Sequence, residues 1–360
     1  MDYISAHEAA EKWSISQRRV SVLCASNRIL NAEMVGNMWI IPADAEKPND
    51  ARKGGSRNQI EKPKELKPFL KWAGGKRQLL ETIGAAYPPG LGRQLNRYAE
   101  PFVGGGAVLI DVLARYNLTE AYISDTNQEL INTYLAVKDR VEDLIASLTL
   151  LQEEFLPMGM TERKRYYYQE RSEFNAISLG VSDAANTRKA ALFIFLNRTC
   201  FNGLYRVNRK GEFNVPMGAY KNPRICDARN LRAVASALQG VTIVCGNYTL
   251  SEDFVDATTF VYMDPPYRPL TKTANFTAYT EDTFDDDCQV ALAHYVDWLT
   301  DEKHALVLAS NSDPKNSDPY DEFFDKLYKR HSIRRVSATR LINRNADSRG
   351  TISELLISNY

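Results

Sequence analysis

From residue 69 onward, short apolar runs alternate with longer amphipathic stretches. The short runs are rich in β-branched and aromatic residues, which suit the pleated surface of a sheet. They predict strands at RYAEPFV, AYISD, VTIVCGN, TFVYMD and HALVLASN. The longer stretches predict helices, among them NQELINTYLAVKDRVEDLIASL and CQVALAHYVDWLTDEK. This alternation is typical of an α/β sheet, and the final runs SIRRVSATRL and TISELLISNY predict a hairpin that closes its edge.

Residues 1–46 follow another pattern and predict a separate module. AHEAAEKW predicts a short helix with Ala9, Ala10 and Trp13 on one side. After a turn at residues 14–16, QRRVSVLCASNRI predicts a second, basic helix, and NAEMVGNMWIIP predicts a hairpin that turns at Gly36 and Asn37. This order is that of a winged helix-turn-helix and resembles the small modules of excisionases and MerR-type regulators. A plain helical hairpin is the alternative.

Residues 47–67 predict a basic linker. They hold seven Lys or Arg against three acids, with Pro and Gly and few large apolar residues. A solvated tether has this composition, and its positive charge also suits a place near a phosphate backbone.

Composition narrows the class of protein. The chain has 360 residues, 44% of them hydrophobic and 25% charged, which is typical of a soluble globular protein. It lacks an apolar run of membrane-spanning length, and its first residues are too polar for a signal peptide, so we expect a cytoplasmic protein without membrane contact. The five cysteines and four histidines are scattered, so we expect neither disulfides nor a metal site.

Two strand ends carry candidate ligand-binding groups. In EPFVGGGAVL, residues 100–109, a strand meets three glycines before helix formers resume. Such a turn suits either a nucleotide-like cofactor or a structural tight turn, since the G-x-G-x-x-G spacing is not met. Asp125 ends the next strand, where an acid accepts hydrogen bonds from ribose hydroxyls. The alternative is that Asp125 or Thr126 caps the helix beginning near Asn127.

Two further segments supply charge and aromatic rings. PFLKWAGGKRQLL places Lys71, Trp72 and Lys76 around a glycine pair, which suits an adenine-bearing ligand with a carboxylate tail. VYMDPPYRPL ends a strand with Asp264, two prolines and Tyr267. Proline cannot continue a sheet ladder, so this stretch is at least a strand terminator.

FLKWAGGK, EPFVGGG, SDTN and DPPY, in that order, resemble the Dam family of DNA adenine-N6 methyltransferases. The blocks NRTCFNGLYRVNRKGEFNVPMGAY and DPPYRPLTKTANFTAY extend the resemblance over residues 68–360. It implies a Rossmann-like class I methyltransferase sheet, formed by residues 68–136 and 237–360, that uses S-adenosylmethionine. It also implies an inserted helical and β-hairpin DNA-recognition domain at residues 137–236, with double-stranded DNA as substrate and a monomer acting on it.

The resemblance implies a cofactor site and a catalytic site. The cofactor residues are Trp72, Lys76, Glu100, Pro101, Phe102, Gly104, Gly106, Asp125, Asn247, Tyr248 and Asp264; many relatives carry Asp-Phe where Asn247 and Tyr248 stand. The catalytic residues are Asp264, Pro265, Pro266 and Tyr267. The Asp264 carboxylate and the Pro265 carbonyl would hold the two N6 protons of a flipped adenine, which stacks on Tyr267 while its lone pair faces the methyl group.

The block at residues 197–229 predicts a DNA-reading hairpin. Seven Lys or Arg face two acids there, interleaved with aromatic residues, although a solvated basic loop would show the same charge. The resemblance implies GATC as target and DNA contacts at Lys71, Arg198, Phe201, Asn202, Leu204, Arg206, Asn208, Pro216 and Tyr220. Methylation of cytosine N4 or of a protein glutamine amide, and a regulator with an inert methyltransferase domain, are the alternatives.

Overall fold

The structure is a computed structural model that describes residues 3–13, 15–25, 29, 32–36, 38–45, 47, 66–72, 74, 76–268, 284–339 and 351–360. Most of the predicted linker, Gly75 and the block TANFTAY lie outside the described residues. The chain divides into two compact units, residues 1–62 and 63–360.

The first unit pairs two helices with a small antiparallel sheet of order β1-β3-β2. Its elements are β1 (Tyr3–Ser5), α1 (Ala6–Trp13), α2 (Gln17–Ala25), β2 (Glu33–Val35) and β3 (Met38–Pro42). Ala9, Ala10 and Trp13 are buried together in its core, so the predicted face of α1 is confirmed. Strand β1 was not predicted, because three residues before a helix carry too little pattern to be recognised as a strand. Its identification as a DNA-binding module stays a prediction.

The second unit is built on a seven-stranded sheet of order β6-β5-β4-β7-β8-β10-β9. Its strands are β4 (Arg97–Glu100), β5 (Glu120–Asp125), β6 (Val241–Cys245), β7 (Thr259–Met263), β8 (Leu306–Ser312), β9 (Ser332–Thr339) and β10 (Thr351–Ser358). The first five in spatial order are parallel, whereas β10 runs antiparallel to both β8 and β9. The predicted α/β sheet and its closing hairpin are confirmed, with β9 at the edge.

Helices cover both faces of this sheet. The helices of this unit are α3 (Leu80–Gly84), α4 (Ala107–Arg115), α5 (Gln128–Asp139), α6 (Val141–Phe155), α7 (Met160–Ala176), α8 (Asp183–Thr199), α9 (Ala228–Ala237), α10 (Asp286–Asp301) and α11 (Phe323–Leu327). This unit has two clusters of buried hydrophobic residues, and alternate residues of β7 pack in each. Phe260 and Tyr262 pack in one cluster, and Val261 and Met263 pack in the other. In the described part of the chain, no helix is long and apolar enough to span a bilayer.

The stretch predicted as one helix over residues 127–148 is two helices. Arg140 leaves the helical conformation, with φ −134° and ψ 36°, and separates α5 from α6. Its guanidinium pairs with Asp183, the first residue of α8. The break was missed because the apolar spacing runs on through residue 140, while the partner that holds Arg140 is distant in sequence.

The connections of the sheet reverse direction between β4 and β7. From β4 the chain adds β5 and β6 on one side, and from β7 it adds β8 on the other. In open α/β sheets such a reversal leaves a crevice at the carboxyl ends of the strands, where ligands bind. The glycine turn follows β4 and the DPPY stretch follows β7, so the topology brings the two motifs to one crevice.

Candidate active site

A large cleft of about 2370 Å³ opens at this crevice. It exceeds the roughly 300–1,000 Å³ of a typical small-molecule pocket, so one ligand would leave room for a second. Its described lining includes the predicted residues Lys71, Trp72, Lys76, Glu100, Pro101, Phe102, Gly104, Gly106, Asp125, Arg198, Asn202, Asn208, Asn247, Tyr248, Asp264, Pro265, Pro266 and Tyr267. The structure therefore brings the four motifs to one place.

Asp264 follows β7 directly and is bound on one carboxylate oxygen by two donors. Its Oδ1 lies 2.8 Å from Lys76 Nζ and accepts a hydrogen bond of 2.9 Å from the Ser310 hydroxyl. Burial raises the pKa of Asp264, and the Lys76 ammonium opposes that rise. No hydrogen bond is recorded to Oδ2 within the described residues, which leaves this oxygen for a proton donor that enters the cleft.

Lys76 and Tyr267 share a further acid, Glu354, which the sequence did not single out. The Tyr267 hydroxyl donates to Glu354 at 2.8 Å and also contacts Lys76 Nζ, which lies 4.4 Å from the centre of the Tyr267 ring. Glu354 stands 3.7 Å from the same ammonium. It lies on β10, and the only signal in the sequence is one acid within the apolar run TISELLIS. The cluster fixes the ring of Tyr267 at the floor of the cleft.

The prolines are anchored from α10. Pro265 is buried and Pro266 exposed. Gln289 is fully buried and donates from Nε2 to the Pro266 carbonyl at 3.0 Å. This hydrogen bond orients the Pro266 peptide, and the role of the Pro265 carbonyl stays a prediction. Gln289 is a second residue that sequence reasoning missed, since nothing distinguishes it from any glutamine in a helix.

Glu100 ends β4 and is buried beside this cluster. Its Oε2 accepts a hydrogen bond of 2.7 Å from the Tyr98 hydroxyl. Burial raises the pKa of Glu100 to about 8, the Tyr98 hydrogen bond opposes the rise, and the charge of Asp264 adds to it. A carboxyl group that holds its proton near neutral pH would ionise when a cation is placed against it.

We expect this carboxyl group to make stability depend on pH. Because its pKa in the folded protein, about 8, exceeds the ordinary 4.5, the folded state holds the proton longer and stability falls as pH rises through that interval. The Glu100→Gln variant should reduce this fall by up to about 1.4 kcal/mol per pH unit. Urea unfolding across the interval measures it, with the exposed Glu302→Gln as control. Equal slopes for wild type and Glu100→Gln would contradict the expectation.

The glycine turn is demanded by packing as well as by any ligand. Gly104 and Gly106 have φ of 47° and 64°, the left-handed region that favours glycine. A Cβ at Gly104 would lie 2.9 Å from Trp72 Cδ1, and one at Gly106 would collide with the Tyr134 hydroxyl. Tight packing of the turn, which was the structural alternative to a cofactor site, therefore accounts for part of the need for glycine here. The backbone of the turn therefore lies against Trp72 at Gly104 and against Tyr134 at Gly106.

Asp125 ties the glycine turn to the start of α5. Its two carboxylate oxygens accept hydrogen bonds from the Gly104 amide at 3.1 Å and the Asn127 amide at 3.0 Å. The cap of α5 is Asn127, whose side chain accepts from the Leu130 amide at 2.9 Å. The capping alternative for Asp125 and Thr126 is therefore wrong. Asp125 remains in the cleft wall, where burial raises its pKa and the backbone amides oppose the rise.

Asn247 and Tyr248 form the far wall. The Tyr248 ring stacks on Phe102 with centroids 5.4 Å apart, and the Asn247 side chain accepts from the Thr249 amide at 3.2 Å. Asn247 is exposed, and its Nδ2 has no recorded partner among the described residues, so this donor is accessible beside Tyr248. This wall combines a flat apolar surface with one amide, which suits a purine ring.

The predicted DNA-reading block is an irregular hairpin. Its arms pair through two antiparallel bridges, Cys200 with Met217 and Val207 with Phe213. A 3-10 turn, Phe201–Gly203, opens it, and the Phe201 ring is 53% exposed. The Phe201 side chain is therefore accessible to a ligand that lies on this surface.

The other predicted DNA contacts fall into two groups. Exposed or half-buried on the hairpin are Asn202, Leu204, Pro216 and Tyr220, the last with Lys71 Nζ lying 4.2 Å from its ring centre. The remaining side chains also reach the surface but donate hydrogen bonds within the protein: Arg206 Nε to Asn214 at 2.6 Å, Asn208 to Glu212 at 2.8 Å and Arg198 to the Phe69 carbonyl at 2.8 Å. Sequence could not separate these groups, because the internal partners depend on the hairpin's register and, for Arg198, on a segment 129 residues away.

The fold and the site define a class of enzyme. Residues 72–342 match the family described as D12 class N6 adenine-specific DNA methyltransferase, and the chain belongs to this family. It is therefore an adenine-specific DNA methyltransferase, and it requires a methyl donor.

Individual relatives agree with this assignment. A protein of Methanocaldococcus jannaschii named type II methyltransferase M.MjaIII is 48% identical over 298 residues, which is 82% of this chain and 100% of that protein. The type II methyltransferase M1.LlaDCHI of Lactococcus lactis subsp. cremoris is 38% identical, with 84% and 99% covered. The DNA adenine methylase of Escherichia coli K12 is 37% identical, with 81% and 95% covered.

Proposed function

We propose that the protein transfers the methyl group of S-adenosylmethionine directly to N6 of an adenine flipped out of double-stranded DNA, at GATC, as a monomer. The observation that carries this proposal is the juxtaposition of Asp264 and the aromatic face of Tyr267 with the glycine turn in one cleft. Because its substrate is DNA, we place the enzyme in the cytoplasm of a bacterial or phage-infected cell.

The donor set of the cleft fits S-adenosylmethionine. Tyr248 and Phe102 offer a stacked pair for the adenine, with Asn247 beside it. Asp125 is the acid available for ribose hydroxyls, while Glu100 and Lys76 could meet the ammonium and carboxylate of the methionine end. The bound cofactor supplies an electrophilic methyl group. The alternative of an inert methyltransferase domain is disfavoured by this intact set of groups.

The chain's own residues prepare the nucleophile. The N6 amino group is weakly nucleophilic, because its lone pair is delocalised into the ring. Hydrogen bonds from its two protons to Asp264 and to the Pro265 carbonyl would hold N6 in a pyramidal geometry. The lone pair would then be localised on N6 and oriented, while the Tyr267 ring stacks on the base. The Glu354 and Lys76 contacts hold the ring and the carboxylate in fixed relation, so the geometry exists before the base arrives.

DNA reading is assigned to the hairpin and to Lys71. The exposed Phe201 ring suits insertion into the base stack, since partly unstacked steps accept an apolar wedge. Leu204, Arg206 and Lys71 are the candidates for base edges. Arg206 can do so only if its guanidinium leaves Asn214 or uses its other donors. We further propose that the first unit is a winged helix-turn-helix that adds DNA affinity, supported by two arginines at the start of α2.

Plasmid DNA incubated with the purified protein and S-adenosylmethionine should become resistant to a nuclease that cuts only unmethylated GATC. Base analysis of the product should show N6-methyladenine, which also separates this activity from methylation of cytosine N4. Unmodified GATC beside methylated adenines elsewhere would refute the specificity and leave the activity standing. Failure to bind labelled S-adenosylmethionine would instead favour the inert regulator.

A further inference from the structure

One buried amide side chain joins the cofactor side of the cleft to the DNA-reading hairpin. Asn197 lies on α8 and is 3% exposed. Its Oδ1 accepts from the Lys71 amide at 2.8 Å, and its Nδ2 donates to the Lys71 carbonyl at 2.7 Å and to the Gly203 carbonyl at 3.0 Å. Asn197 thus binds both the amide and the carbonyl of Lys71, as the backbone of a neighbouring β-strand would. Its second Nδ2–H group binds the turn that carries Phe201.

The side chain of Lys71 depends on this arrangement. Its stem crosses the turn at Gly203, whose φ is 65° and where an added Cβ would come within 2.7 Å of Lys71 Cβ. Its ammonium ends 4.2 Å from the centre of the Tyr220 ring. Because the stem lies on the turn, any shift between the two backbones moves the ammonium relative to the hairpin.

Trp72, the residue after Lys71, links the same backbone to the cofactor side of the cleft. The Trp72 ring stacks on Tyr205 of the hairpin, with centroids 5.7 Å apart and planes inclined by 20°. It also packs against the glycine turn. The backbone that Asn197 holds is therefore the backbone from which one side chain faces the DNA side and the next faces the cofactor side.

We propose that Asn197 is a positioning residue for sequence discrimination, resting on the proposed function of the hairpin and Lys71. It fixes the position of Lys71 relative to the Phe201–Gly203 turn. Base contacts from Lys71 and from the turn are therefore made together or not at all. Asparagine suits this position because it offers two donors and an acceptor on one short plane. A carboxylate of the same shape would turn both donor contacts into repulsion between oxygens.

The chain contains a matched control. Asn230 on α9 holds Lys67 in the same way, accepting from its amide at 3.0 Å and donating to its carbonyl at 2.9 Å. It holds the same incoming segment four residues earlier, and its side-chain hydrogen bonds go to Lys67 and not to the Phe201–Gly203 turn. Loss of this contact perturbs the segment without touching the turn.

The test uses the full-length enzyme, plasmid DNA and mapping of methylated adenines. Methylation rates are then compared between the preferred site and duplexes with one base of that site changed. Asn197→Asp should lower the ratio of these rates at least about tenfold, comparable with the loss of one base contact. Asn230→Asp should leave the ratio within about twofold of wild type. In a Lys71→Ala background, Asn197→Asp should add less than it does alone, since both changes remove one contact.

The ratio is internal to each preparation, so a partly unfolded sample does not distort it. Asn197→Ser, which removes the amide without adding charge, serves where the aspartate variant does not fold, and the same fall is expected. An unchanged ratio in a folded Asn197 variant, or an equal fall in Asn230→Asp, would overturn the inference. A wild-type protein that methylates adenine at another site refutes GATC alone, while one without methylation refutes the proposed function.

Discussion

Asp264→Ala should lower the rate of methyl transfer by at least about 10²–10³-fold while duplex binding stays measurable. The carboxylate is the acceptor proposed to orient N6, and its Oδ2 has no recorded partner in the described residues. Removing it also leaves Lys76 with Glu354 as its acid, 3.7 Å away. On the proposed assignment, binding of the duplex depends chiefly on the hairpin and on phosphate contacts, which this change does not touch.

Single-turnover methyl transfer with saturating donor isolates the chemical step, and fluorescence anisotropy with a labelled duplex measures binding. Asp253→Ala is the control, because Asp253 is an exposed acid before β7. An Asp264→Ala enzyme that retains wild-type turnover would remove the assigned role. The rate of methyl transfer by Asp264→Asn should lie between those of Asp264→Ala and wild type, because an amide keeps one acceptor oxygen but loses the charge that Lys76 pairs with.

The sheet and the crevice were predictable because their signals are local. Each strand is a run of apolar residues, and DPPY and the glycines stop strands for backbone reasons that act within a few residues. The parallel order places such ends together without knowledge of any contact. Local signals therefore placed Asp264, Asp125 and the glycine turn each at a strand end, and the family resemblance placed them in one site.

The residues that complete the site were not predictable in this way. Ser310 and Glu354 reach Asp264 and Tyr267 from β8 and β10, across sequence separations of 46 and 87 residues. Shifting the register of either strand by one residue would turn these side chains to the opposite face. Asn197 is likewise one polar residue in a buried helix until the contact with Lys71, 126 residues away, is seen. Such groups are recognised by their partners, which only the folded chain brings together.

Lys76→Met should destabilise the second unit by about 3–5 kcal/mol at neutral pH, since it leaves buried acids without their cation. Lys76 is 4% exposed in its side chain and lies between Asp264 and Glu354. Methionine keeps the straight chain, so lost charge and lost hydrogen bonds dominate the effect. Urea unfolding of the full chain measures the loss. The double variant Lys76→Met, Asp264→Asn should recover part of it, because Asp264, one of the two acids left without a cation, is then neutral.

The same substitution should move the pH dependence of catalysis. Burial already raises the pKa of Asp264 and Lys76 opposes the rise, so removing Lys76 raises that pKa further. Ionised Asp264 then forms only at higher pH, and the acid limb of the single-turnover rate should shift upward at saturating donor. Lys71→Met is the control, because its ammonium lies over Tyr220 and not beside the carboxylate. It should weaken DNA reading and leave the acid limb in place. An acid limb that is equal in Lys76→Met and wild type would mean that Asp264 is not the group whose ionisation limits the rate.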